Sequence, residues 1–203
     1  MPQKLTRNGY RDPPRTHLLW WCAAIICALL TIAIIIAGIV VFIGYLVIHP
    51  RVPIISVVDA GLPHFNYDGA GVLVTQINIK VRSKNDNRKA HASFSDFNLE
   101  LLFQGIRIAI LSAGPYEVKK NDSVDFNYEY TSDPMPLNPK QMDNVDAYLR
   151  EDEAKFELKG GVRARWKVGV LGSVKFLCHL NCQLRFHPSN GSYIPRRCTS
   201  RAK

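Results

Sequence analysis

Residues 18–48 read LLWWCAAIICALLTIAIIIAGIVVFIGYLVI, 31 positions without one charged side chain. A helix crosses the hydrocarbon core with about 20 apolar residues, so this run is long enough to span a bilayer. Core helices of soluble domains rarely run so far without charge. A cleaved signal peptide has an apolar region of about 7–15 residues followed by a small-residue cleavage site. Here the run is far longer and leads into His49-Pro50-Arg51. The reading is an uncleaved signal anchor over 18–48.

Trp20 and Trp21 at one end and Tyr45 at the other suit aromatic belts at the two interfaces. Lys4, Arg7, Arg11 and Arg15 precede the run against Asp12 alone, and after Arg51 no Lys or Arg occurs until Lys80. By the positive-inside rule the expected organisation is a basic cytoplasmic head over 1–17, a transmembrane helix over 18–48 and an extracellular domain over 49–203. Cys22, beside the tryptophans, is a candidate for reversible palmitoylation. Its plainer reading is a small apolar residue in a helix.

The remaining stretch of about 150 residues is a common size for one domain with its own core. Removing the head's four basic residues and one acid from the totals of 26 and 17 leaves 22 against 16, a net charge of +6. An exported basic domain suits polyanionic partners, either acidic wall polysaccharide or anionic headgroups. Nucleic acid is a poor candidate given the topology and the lack of any binding motif.

Within this domain VLVTQINIKVRS, residues 72–83, alternates Ile77, Ile79 and Val81 with Asn78, Lys80 and Arg82, the pattern of a half-buried strand. Val52–Ala60, Phe97–Phe103, Ile106–Leu111, Val124–Tyr130, Lys155–Lys159, Val162–Val170 and Val174–Phe186 also read as strands. Gln104-Gly105 marks a hairpin, and 84–89 a polar turn. Asn138-Pro139 signals a helix start, with Met142, Val145 and Leu149 at helical spacing. Strands with turns at short intervals predict an all-β antiparallel sandwich with one short helix. Trp166, between Arg165 and Lys167, is expected to pack inward.

In FLCHLNCQLRF, residues 176–186, Cys178 and Cys182 share a strand face but stand about 13 Å apart at 3.3 Å per residue, too far to bridge. Cys182 and Cys198 are equidistant from the Asn190-Gly191 turn signal, so a hairpin there brings them opposite each other. A Cys182–Cys198 disulfide is the preferred pairing, with Cys178–Cys198 or three free thiols as alternatives. A zinc site is disfavoured because His179 points to the other strand face. Asn121-Asp122-Ser123 and Asn190-Gly191-Ser192 are N-glycosylation sequons in turn-like stretches, making Asn121 and Asn190 candidate acceptors.

The six histidines are scattered, and no metalloprotease helix, phosphate-binding loop or nucleophile elbow is present. Glu151-Asp152-Glu153 reads as a solvated loop. No catalytic residue, metal ligand or cofactor site is therefore expected. A fusion helix would need heptads beside the anchor, whereas this region carries Pro50, Pro53 and Pro63.

The order of motifs resembles the plant late-embryogenesis-abundant group 2 family, in its membrane-anchored harpin-induced-like and non-race-specific disease-resistance-like branch. The resemblance is carried by the basic head, the anchor, the His-Pro-Arg exit, Asn85-Asp86-Asn87, the Phe103-Gln104-Gly105 hairpin, VRARWKVGV over 162–170 and the terminal cysteines. Asn85-Asp86-Asn87 stands where the family usually shows Asn-Pro-Asn, and the tyrosine pair of the next strand is replaced around His91 and Phe94. The resemblance implies a fibronectin-III-like sandwich at the plasma membrane, a role in pathogen defence or stress response, and no catalysis. The resulting expectation is a single-pass protein whose extracellular domain binds a membrane-protein partner. The alternatives are an adhesion module holding acidic wall polysaccharide and, in another class, a hydrolase.

Overall fold

The computed structural model describes residues 16–48, 51–88, 90–167 and 173–202. The basic head up to Arg15, the His49-Pro50 exit and the end of the 162–170 segment lie outside the described residues. The chain divides into two units, Met1–His49 and Pro50–Lys203.

The first unit is one helix, α1 (Thr16–Ile48). Its stretch Trp20–Gly44 has a mean hydropathy of 3.2 and is uncovered, long and apolar enough to cross a membrane. Leu29, Ile34 and Val41 are exposed around it, so no single face is reserved for a protein core.

The second unit runs β1 (Ile54–Tyr67), β2 (Val72–Asn85), β3 (Ala92–Phe103), β4 (Ile106–Ala113), β5 (Tyr116–Val118), β6 (Asp122–Thr131), β7 (Met135–Pro136), α2 (Pro139–Glu151), β8 (Ala154–Lys167), β9 (Ser173–Phe186), β10 (Tyr193–Ile194) and β11 (Arg201–Ala202). One sheet has the order β1-β2-β6, with β7 on β2. The other has the order β10-β9-β8-β3-β4, with β5 on β3 and β11 on β9. Every pairing is antiparallel. This is the all-β sandwich expected, with one short helix beside it.

Period-two burial builds the core. Leu73, Ile77, Ile79 and Val81 of β2 face Leu99, Leu101, Phe156, Leu158, Val162 and Leu184 of the other sheet within one apolar cluster. Trp166 is buried as expected and lies 5.2 Å from Phe176, ring to ring.

Several boundaries differ from the sequence reading. β2 continues to Asn85, because Asn85 is fully buried and its residues keep pairing with β6. The two strands expected at 155–159 and 162 onward are one strand, β8. Gly160 does not break it. A Cβ at Gly160 would collide with the Asn98 carbonyl oxygen, so the missing side chain lets β3 approach where its register shifts past Asp96. In α2, Asn138 caps the N-terminus through a capping box with Gln141. Val145 is buried, but Leu149 is 45% exposed and Tyr148 covers the core in its place.

Candidate interaction site

Cys182 and Cys198 are joined by a disulfide, with Cα atoms 5.5 Å apart. The route to that pairing is not a two-residue hairpin. Tyr193 pairs with Phe186, so the connection is the six residues 187–192, held by the Asn190 and Gly191 amides donating to the His187 carbonyl. Extending that register would leave Cys182 opposite Arg197. Arg201 pairs instead with His179, a one-residue shift that brings Cys198 opposite Cys182. Cys178 is a buried free thiol whose Sγ donates to the Pro53 carbonyl at 3.4 Å, and burial pushes its pKa up to about 11. Cys22 is exposed on α1.

Asn85 and Asn87 are structural clamps where the chain enters the sandwich, here called the proximal end. The Asn85 side-chain amide donates to the carbonyls of Ala90, Val118 and Lys119. Its oxygen accepts from the amide and the side chain of Asn87. Asn87 in turn holds Arg51 by two bonds. These side chains satisfy backbone groups of three connections at once, which explains polar residues at 0% and 6% exposure.

The acidic run is not a free loop. Asp152 sits in left-handed conformation (φ 52°) as the C-cap of α2, and its carboxylate accepts from the Ser189 amide, the Ser189 hydroxyl and His187 Nδ1. The Ser189 contacts, with that of His187, hold its pKa below the usual carboxylate value. Glu153 pairs with Arg185 at 2.6 Å. Ser, His and Asp thus meet, but the Ser189 hydroxyl donates to the carboxylate and not to the imidazole, so no base activates it. Among the described residues no three His, Cys, Asp or Glu side chains converge to hold a metal.

Both sequon asparagines are exposed. Asn121 lies in the turn between β5 and β6 at φ 54°, at the proximal end. Asn190 lies in the connection after β9, at the opposite, distal end. The sequence gives a net charge but not its distribution. In the fold Arg51, Arg88, Lys119, Lys120, Arg165 and Lys175 gather exposed at the proximal end. That grouping joins five separate stretches of chain, and no single window of sequence reveals it.

No protein-family model matches the chain. Over 163 residues it is 24% identical to NDR1/HIN1-like protein 12 from Arabidopsis thaliana, covering 79% of this chain and 77% of that protein. The solution structure of a late embryogenesis abundant protein aligns with 89% of this chain and 96% of its own, at 13% identity and a TM-score of 0.27. A crystal structure of a protein from Archaeoglobus fulgidus aligns with 63% of this chain and 96% of its own, at 12% identity and a TM-score of 0.26. Both scores are too low to argue from, so the fold rests on the strands described above.

Proposed function

We propose that this chain, similar to NDR1/HIN1-like protein 12, is a single-pass plasma-membrane protein acting in plant defence or stress response. Its head (1–17) is cytoplasmic, its helix (18–48) is the anchor, and its sandwich (49–203) is an extracellular interaction domain. The observation that carries the reading is the uncharged 31-residue run formed as a single helix ahead of a domain that contains a disulfide. Disulfides persist on the oxidising side of the membrane, which agrees with export. Export would also expose Asn121 and Asn190 to the glycosylation machinery, and this topology would put Cys22 near the cytoplasmic interface, where acylation can occur.

The sandwich is read as a binding domain, and the Ser-His-Asp meeting among its described residues as a structural knot. A second reading, adhesion to an acidic wall polysaccharide, is favoured by the net +6 of the outer segment. Deleting the chain in plant tissue should lower immune or stress output. Proximity labelling from the sandwich should recover one recurrent membrane or wall component. Unchanged output with a purified chain that hydrolyses an ester or glycoside would contradict the proposal.

A further inference from the structure

Charge is segregated along the sandwich. At the proximal end Asp125, Asp86 and Asp96 are each occupied by a cation, Arg82, Lys84 and Arg163 respectively. Arg51, Arg88, Lys119, Lys120, Arg165 and Lys175 form no ion pair among the described residues. Among the described residues Glu117 and Asp122 are the unpaired acids that stand beside them. At the distal end the balance reverses: Asp133, Asp143, Asp146, Glu151, Asp152 and Glu153 outnumber Lys140, Arg150, Lys155 and Arg185, of which Lys155 and Arg185 share Glu153. Beside Lys175, Val174 is 44% and Leu177 38% exposed, so apolar side chains stand among the cations.

We propose that the proximal end docks on the anionic headgroups of the bilayer that α1 spans. The proposal rests on the membrane-anchored reading above. Its occupant follows from connectivity. Only His49 and Pro50 separate Ile48 from Arg51. At about 3.5 Å per residue the helix end and Arg51 cannot be more than roughly 10 Å apart. That is about one Debye length at 0.1 M salt, so Arg51 is held where the surface potential still acts and the other cations share its end of the sandwich. Tethering makes the contact intramolecular, and weak individual contacts then suffice. A wall polysaccharide, free to approach from any side, would not require the cations to gather at the tethered end.

The docked arrangement has a consequence for the sequons. A glycan on Asn121 would stand between Lys119, Lys120 and the headgroups, whereas Asn190 is at the distal end. Docking is therefore compatible with a glycan on Asn190 and requires Asn121 to be bare.

The test uses the full chain in nanodiscs of phosphatidylcholine alone or of phosphatidylcholine with phosphatidylglycerol. Amide exchange in the Lys119–Ser123 turn should be about ten-fold slower in the anionic discs. The difference should vanish in high salt and in Lys119→Glu/Lys120→Glu, and persist in the distal control Lys140→Glu. Equal exchange in both discs overturns the proposal while leaving the anchor intact, and so does polygalacturonate protecting the turn equally well in neutral discs. A chain washed out of both discs by alkaline carbonate removes the anchor and the docking together. In cells, a gel shift on glycosidase treatment that Asn190→Gln abolishes and Asn121→Gln leaves unchanged supports docking. Loss of the shift in Asn121→Gln contradicts it.

Discussion

The side-chain amide of Asn87 closes on the backbone of Arg51 from both directions, donating to the Arg51 carbonyl at 2.6 Å and accepting from the Arg51 amide at 2.8 Å. This fastens the first described residue of the sandwich to the connection between β2 and β3. Asn87→Ala leaves both backbone groups without that partner and breaks the link to Asn85, a loss of about 3 kcal/mol in unfolding free energy. The urea midpoint should fall with the slope unchanged. A shift no larger than that of an exposed control such as Asn127→Ala would show that the clamp is dispensable.

The Cys182–Cys198 bond closes a loop with a sequence separation of 16. The loop-entropy account gives a contribution on the order of 3 kcal/mol. Cys182→Ser and Cys198→Ser should lower stability equally, and the double variant should match either single, because one bond is lost each time. Non-reducing peptide mapping that recovers Cys178 linked to Cys198, or three alkylatable thiols in the sandwich, would contradict this pairing.

Cys178 is 1% exposed, and desolvation raises its thiol to about 11. A thiol favoured in its neutral form contributes stability that is complete below the unfolded-state value, near 8.5, and lost as pH rises through the folded one. The Cys178 peptide of the folded chain should stay unlabelled by iodoacetamide at neutral pH and react once urea unfolds the sandwich. The alkaline loss of stability should be shallower in Cys178→Ala.

Asp152 has the opposite sign. Its lowered value comes first from the Ser189 amide, then from the Ser189 hydroxyl, with His187 adding to it. Its stabilisation is present above the unfolded carboxylate value, about 3.9, and lost as pH falls through the lowered one. Asp152→Asn keeps a residue tolerant of the left-handed cap and a hydrogen-bonding oxygen but removes the ionisation. Melting temperatures from about pH 5 to 2 should then fall less steeply in Asp152→Asn than in the unaltered chain. Parallel curves would place the acid sensitivity elsewhere.

Features set by local pattern were legible in the sequence. The α1 run, the alternation in β2, the Gln104-Gly105 hairpin and the Asn138-Pro139 helix start all depend on neighbours within a few residues. Features set by distant chain were not legible. Asp152 reads as part of a solvated acidic run because its partners His187 and Ser189 lie 35 and 37 residues away. The continuity of β8 through Gly160 depends on the β3 backbone at Asn98, and the exposure of Leu149 depends on Tyr148 taking the core-facing position. The basic proximal end is the extreme case, since the strand topology alone brings Arg88, Lys119 and Lys175 to one place.

The most direct test of the whole account is protease protection in intact, wall-stripped plant cells expressing the chain with a tag on its N-terminal head. Protease outside the cells should remove everything beyond about Arg51 and leave a small tagged fragment that contains the head and α1. A head digested from outside, or a sandwich that resists until the membrane is opened, would contradict the assigned topology and with it the extracellular role.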